Sequence, residues 1–510
     1  MEGLIRNKWF FRIFIIVILL SLAARFYDLN KDAFPYNIYG TSAGDESGYV
    51  HNSRNKVLFG EWKLEGDVWN PMYISPTLTF FQYISFKTFG VGTFASRVTP
   101  SVLGLLSILF ASYLLFLKNR DEGVIYFVLL LISTFLIAYH RFGSTESIVL
   151  FFLLIILGLI VYDKNYTWIL AGFFSPFLFF SKSTSIFFIL AIPLSLILYY
   201  FVYKDRKIIK KLFSFGFGFM ISGILWSFWF VPSFSNWVFM NFAFGERILF
   251  TLTKPIGALY NSFQFLIKDP IVLILVIALV FITVRSFLNK EKIQFIDFFL
   301  LTSLILFYFQ ISVLDMHLRR FVLILPILLL MAARFIGRIR EFDIKVSNKL
   351  FNVNRNIAIL LILLVYVFIN VMNLGAYFYD LYADYGRAHT YLEVSQEIDN
   401  YIPPGSEVFG ALASSYSLNS KIKPYTPMEE NRYIDDNYGV SLLAGDRVQY
   451  AILSHNLFDE HAIKVSETDP RKASFDYIEN HFEIIATLNS KSWYNYGNVP
   501  LYIYKKINSD

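Results

Sequence analysis

Residues 44–62 read GDESGYVHNSRNKVLFGEW, a polar stretch that opens on two adjacent carboxylates, Asp45 and Glu46. An apolar run, Ile13–Ala24, precedes it, and most of the chain from there to about residue 376 is oily. Of the 510 residues, 56% are hydrophobic and only 16% are charged, a balance that excludes a disordered chain and an ordinary soluble domain. Apolar runs of about 17–20 residues recur, long enough to cross a bilayer as helices. Backbone in lipid must be hydrogen-bonded within its own segment, so these runs are expected to be helical. The class is a polytopic α-helical membrane protein. Cysteine is absent, which excludes thiolate chemistry, disulfides and Cys-based metal sites. Arg6, Lys8 and Arg12 precede the first apolar run with no convincing small-residue cleavage site after it, the pattern of an uncleaved first span.

The net charge of +6 matters less than its placement. Spans are expected near 10–27, 98–117, 124–140, 147–162, 168–181, 185–203, 212–231, 270–286, 296–314, 321–335 and 355–376, about eleven in all. Basic links at 118–120, 163–165, 204–211, 285–292 and 334–355 fall on one side if the N-terminus is cytoplasmic, as the distribution of Lys and Arg in membrane proteins requires. The other side then receives 28–97, 140–146, 181–184, 232–268, 315–320 and everything after about 377. Residues 72–90 are long enough to span, and spanning would invert every later loop. Pro76, Gln82 and Lys87 interrupt them, so they read as an amphipathic segment in the interface. The composition turns polar near Tyr377. Helices are expected at 391–401, 428–437 and 473–481, and strands at 407–410, 449–454, 483–486 and 501–504. The chain therefore divides into a transmembrane module, 1–376, and an extracytoplasmic α/β domain, 377–510.

Certain polar residues are not explained by the membrane. Ser42-x-x-Asp45 fits a helix-capping box. A helix from that point sets Asp45 one turn from Tyr49 and Glu46 one turn from Val50, so the two acids face different directions. A second acid, Glu146, closes the link HRFGSTE, which also carries Arg141. Lys182, Arg97 and the set His317, Arg319 and Arg320 put cations on the side where few are expected. Each alone is a span border or a snorkelling side chain; together they describe a chemistry. A sugar on a polyprenyl phosphate departs from an anionic phosphate that cations hold. The acceptor hydroxyl needs a carboxylate base. One displacement inverts the anomeric centre, whereas two close carboxylates give a covalent intermediate. A divalent metal between Asp45 and Glu146 is compatible with this chemistry but not required by it. Tyr49, His51 and His317 complete the candidate set on the acceptor side.

The stretch 44–62 resembles the acidic first external loop of GT-C fold glycosyltransferases, of the dolichyl-phosphate-mannose protein mannosyltransferase and lipid A aminoarabinose transferase types. The matching residues are Asp45, Glu46, Tyr49, Arg54, Gly60 and Trp62. Arg97 in FASRVTPS, Glu146 in RFGSTESIVLFF, Lys182 and the span start LRRFVLILPILLL extend the resemblance over roughly residues 1–335. It implies Asp45 as base or acceptor-positioning residue, Glu46 as acceptor contact or support, a polyprenyl-phosphate monosaccharide donor, and a protein, lipid or glycan acceptor. Tyr73-Ile74-Ser75-Pro76 stands where the aminoarabinose type has a Lys-Pro-Pro. Donor or acceptor is therefore expected to differ, or the phosphate contact to be made elsewhere. Nothing points to nucleic acid. A non-enzymatic transporter or flippase of lipid-linked sugar is the competing class; it would show internal repeats and intramembrane coupling charges.

Overall fold

The computed structural model describes residues 8–31, 43–65, 70–229, 257, 267, 269–289, 291–313, 318–338, 355–382, 391–410, 416–425, 438–453, 470–491 and 498–507. The apolar runs are helical: α1 (Lys8–Phe26), α4 (Thr93–Lys118), α5 (Arg120–Ile132), α6 (Thr134–His140), α7 (Thr145–Tyr162), α8 (Asn165–Phe179), α9 (Ile186–Tyr203), α10 (Lys207–Trp229), α11 (Pro270–Leu288), α12 (Phe295–Val313), α13 (Leu325–Arg338) and α14 (Arg355–Tyr382). Between the first two lie α2 (Ala43–Phe59) and α3 (Pro76–Phe89). Among the described residues, seven helices are long and apolar enough to cross a membrane, and eight if α5 and α6 form one bent span. The expected spans at 10–27, 168–181 and 321–335 correspond to shorter elements: the apolar part of α1, Phe14–Phe26, and the 15- and 14-residue helices α8 and α13. At 14 residues α3 is only about 21 Å long, short of the bilayer core. It exposes Phe80 and Ile84 and buries Leu78, Gln82 and Phe86, so its two faces differ.

Packing groups the chain along a different line from composition. One compact unit holds Met1–Tyr27, Pro100–Arg141 and Thr145–Tyr377; the other holds Asp28–Thr99, Phe142–Ser144 and Phe378–Asp510. Residues 28–99 thus share a unit with the polar C-terminal segment.

In the first unit, the span expected at 124–140 is broken. Ser133 takes φ −55°, ψ 113°, outside the helical region, and α5 and α6 meet at 60°. A helix end leaves its last carbonyls and its successor's first N–H groups without partners, and lipid supplies none. Other helices supply them here. The Tyr366 hydroxyl of α14 donates to Leu129 O at 2.9 Å. Arg25 of α1 donates to Leu131 O at 2.7 Å and Leu130 O at 3.4 Å. Asn370 of α14 accepts from the Thr134 N–H at 3.0 Å through its side chain and from the Thr134 hydroxyl at 2.8 Å through its carbonyl. Elsewhere α8 and α10 pack backbone to backbone: a Cβ on Gly172 would meet Phe215 O at 2.0 Å, and one on Gly218 would meet Ile169 O at 1.9 Å. At the end of the unit that carries the basic links, Arg334 of α13 bonds Asp297 of α12 at 2.7 Å, Glu122 of α5 at 2.9 Å and Gln294 at 2.7 Å.

In the second unit, the strands are β1 (Glu407–Phe409), β2 (Lys423–Tyr425), β3 (Val448–Leu453), β4 (Phe482–Lys491) and β5 (Asn498–Lys506), in the order β2-β1-β3-β5-β4. β1 pairs in parallel with β2 and β3; β5 runs antiparallel to β3 and β4. Successive side chains point to opposite faces, so β1, β3, β4 and β5 each feed two cores. Val408, Ile452 and Ile503 pack on Val394 and Ile398 of α15 (Tyr391–Tyr401). Phe409, Ala451 and Tyr504 pack with Leu443 of α16 (Tyr438–Ala444) and Ile478 of α17 (Pro470–His481). The strand expected at 483–486 extends to ten residues. β2 is not expected from sequence, because Pro424 reads against a strand; as the edge strand it tolerates a missing donor. The helix expected at 428–437 lies outside the described residues.

Replacing Asn370 by Leu leaves the Thr134 N–H buried without its acceptor. The change is expected to destabilise the protein by about 1–3 kcal/mol, read as a lower unfolding midpoint in detergent.

Candidate active site

Glu46 lies in the second turn of α2, and its carboxylate is 1% exposed. Burying a charge is costly unless it is paired and its remaining lone pairs are satisfied. Both conditions hold. Arg97, 2% exposed, donates to Glu46 Oε2 from Nε at 2.9 Å and from Nη2 at 2.7 Å. The Ser96 hydroxyl and the Gly143 N–H, the latter at 2.9 Å, donate to Oε1. Arg97 directs Nη1 at the carbonyls of Leu29, at 3.0 Å, and Lys31, and its guanidinium lies 4.7 Å over the Phe142 ring. Space at Gly143 is tight: a Cβ there would sit 3.0 Å from Ser96 O and 3.1 Å from Glu46 Oε1, so those groups would have to give way. One acid thus ties α2, the start of α4, the chain after α1 and residues 142–144 into one knot.

Asp45 stands on α2 immediately before Glu46, and its side chain lies outside the described residues, as does His317. Tyr49 is half-buried one turn on. His51 is buried with Nε2 3.1 Å from Asn55 Nδ2 of the same helix. Arg54, two turns beyond Glu46, is buried and donates to the Ser420 and Ile422 carbonyls at 2.6 and 2.9 Å. Burial lowers its pKa to about 9, with Asp399 opposing the shift, so it is still ionised at neutral pH.

The first unit contributes a second pair. Glu146 sits in the first turn of α7, where the helix dipole favours a carboxylate. Lys182 forms a salt bridge with its Oε1, and the Thr145 hydroxyl bonds Oε2 at 3.0 Å. The side chains are 2% and 13% exposed, so this bridge is shielded from water. Lys182 leads into a short turn, Ser183–Ser185, which Gln310 of α12 holds by donating to Thr184 O at 2.8 Å. Arg320 is half-buried in the turn Leu318–Leu323, which packs on α7 and α13. Arg141 serves α1: it donates to the Ala24 and Tyr27 carbonyls at 2.8 and 2.7 Å, closing the end of that helix.

Of the residues that sequence singles out, Glu46 meets Arg97 and Glu146 meets Lys182, while Arg141 grips backbone. Sequence misses Gly143 and Ser96, because nothing local marks a glycine whose value is the space it leaves for a carboxylate 97 residues away. Among the described residues no group of three or more His, Asp or Glu side chains converges as a metal site.

No family model matches the chain, and no curated protein matches it. Solved structures do. ArnT from Cupriavidus metallidurans bound to undecaprenyl phosphate aligns over 98% of this chain and 98% of its own, with a TM-score of 0.61 and 12% identity. The apo state of the same protein gives a TM-score of 0.62 at 14% identity, over 96% of this chain and 98% of its own. The chain has the GT-C fold. In that fold the stretch resembling the GT-C acidic loop is α2 and the residues just after it, and two of the partners at Glu46, Ser96 and Arg97, come from the segment FASRVTPS.

Arg97→Met leaves Glu46 as a buried carboxylate without its cation and is expected to cost about 3–5 kcal/mol. Adding Glu46→Leu should recover most of that loss. Thermal unfolding of the single and double variants in detergent measures both.

Proposed function

We propose that this protein is an inverting glycosyltransferase that moves a monosaccharide from a polyprenyl-phosphate donor to a protein, lipid or glycan acceptor at the outer face of the cell membrane. The observation that carries the reading is the likeness, over nearly the whole chain, to a protein solved with undecaprenyl phosphate. Asp45 is the base. It takes the acceptor's hydroxyl proton while that oxygen attacks the anomeric carbon; the C–O bond to phosphate breaks, and its electron pair leaves with the polyprenyl phosphate. A single attack inverts the configuration. Glu46, with Arg97, Ser96 and Gly143 on its oxygens, supports rather than reacts. We assign the donor phosphate to Lys182, which Glu146 already holds, and to Arg320 in the turn Leu318–Leu323. Glu146 holds Lys182 in place and is the second acid of the site. The N-terminus is cytoplasmic and the C-terminal segment extracytoplasmic.

In proteoliposomes charged with an undecaprenyl-phosphate sugar, the protein should release polyprenyl phosphate. Asp45→Asn should lower that release about 10²–10⁴-fold at unchanged expression. A variant with near-wild-type turnover removes Asp45 from the mechanism, and a wild-type protein that moves the lipid intact is a transporter.

Because the chain has no cysteine, single-cysteine variants report topology without background. Tyr401→Cys should react in whole cells with a membrane-impermeant maleimide. Arg120→Cys, in a basic link, should react only after lysis.

A further inference from the structure

Residues 416–422 form a tight turn in the second unit, tied by backbone hydrogen bonds to itself and to the chain just before β1. Ser420 N donates to Ser417 O at 3.1 Å, and Gly405 N donates to Lys421 O at 2.8 Å. Lys421 N donates to the Asp399 carboxylate at 2.8 Å. The turn makes three contacts with the helices that hold Glu46. Leu418 is buried among Val50 of α2, Phe86 of α3 and Ala95 of α4. The carbonyls of Ser420 and Ile422 accept from Arg54 of α2. Asn419 accepts the N–H of Thr93, the first residue of α4, at 3.0 Å, and shares a second hydrogen bond with its hydroxyl. A helix usually receives such a cap from the residue just before it. Gly92 stands there and has no side chain to give. Asn419 Oδ1 sits 3.3 Å from where a Gly92 Cβ would be, so the cap arrives from 326 residues away.

The next residues of α4 include Ser96 and Arg97, the two that hold the Glu46 carboxylate. Asn419 therefore fixes the turn that fixes Glu46, and Arg54 pins α2 two turns beyond that acid. We propose that the turn 416–422 positions the acid pair Asp45–Glu46, with Asn419 as its positioning residue, so that the C-terminal domain is a working part of the transferase and not an appended acceptor module. The inference rests on the transferase reading above for its kinetic test, and on geometry alone for its second test.

Full-length Asn419→Ala and Asn419→Asp separate position from mere stability. Aspartate keeps the oxygen that accepts the Thr93 N–H, at a helix end that favours negative charge. In the donor-cleavage assay Asn419→Ala should lower kcat about 10-fold or more with KM for the donor within about twofold, and Asn419→Asp should restore kcat to within about threefold. A kcat for Asn419→Ala within about twofold of wild type overturns the proposal, as does an equal loss in both variants. Hydrogen exchange gives a readout independent of activity. Amides at 44–50 and 93–99 should exchange faster in Asn419→Ala and as in wild type in Asn419→Asp. Unchanged protection in Asn419→Ala overturns the proposal whether or not the protein transfers sugar, whereas a wild-type protein without transfer defeats only the reading of its function.

Discussion

The buried pair of Glu46 and Arg97 is the interaction on which the candidate site depends. Two charges removed from water destabilise a fold unless their geometry is near ideal. Here the carboxylate receives two guanidinium N–H groups, a hydroxyl and a backbone N–H, and the remaining guanidinium nitrogen closes on two carbonyls. Such a fork tolerates little displacement of either partner. The start of α4, α2, residues 29–31 and residues 142–144 are therefore held to one another by a single acid. That acid neighbours Asp45, so the stiffness of the pair is conferred on the residue assigned the chemistry.

A comparable constraint governs the first unit. A helix that breaks inside a membrane exposes backbone groups that lipid will not satisfy. The break at Ser133 survives because α1 and α14 bring Arg25, Tyr366 and Asn370 to the freed carbonyls and N–H groups. Arg141 performs the same service at the end of α1. Arg97 and Arg141, which sequence offers as anion contacts or span borders, and Arg25, which it does not single out, thus spend donors on backbone carbonyls.

Much of the architecture is legible in the chain. Runs of apolar residues mark the membrane helices, and Pro76, Gln82 and Lys87 mark 72–90 as amphipathic; that its helix is only 14 residues long came from the structure. The alternation in Val448–Leu453 and Leu501–Tyr504 marks strands. The misses have local causes. The span at 124–140 is apolar throughout, and the groups that allow Ser133 to leave the helix lie on α1 and α14. β2 hides behind a proline that only an edge position permits. At the site, Asp45, Glu46, Arg97, Glu146 and Lys182 stand out as charges in oily surroundings, but which acid meets which cation is not legible: Glu46 takes Arg97 and Glu146 takes Lys182.

Sequence by itself determined which segments are helical in lipid, which are sheet, and which charges are too costly to be accidental, because hydropathy and residue period act over a few neighbouring residues. Only the tertiary structure decided which charge neutralises which, that the backbone of Gly143 meets the Glu46 carboxylate, and that a turn near residue 419 caps a helix beginning at Thr93. These are matters of distance between groups remote in sequence. A hydrogen bond or an ion pair depends on tenths of an ångström that no local pattern encodes.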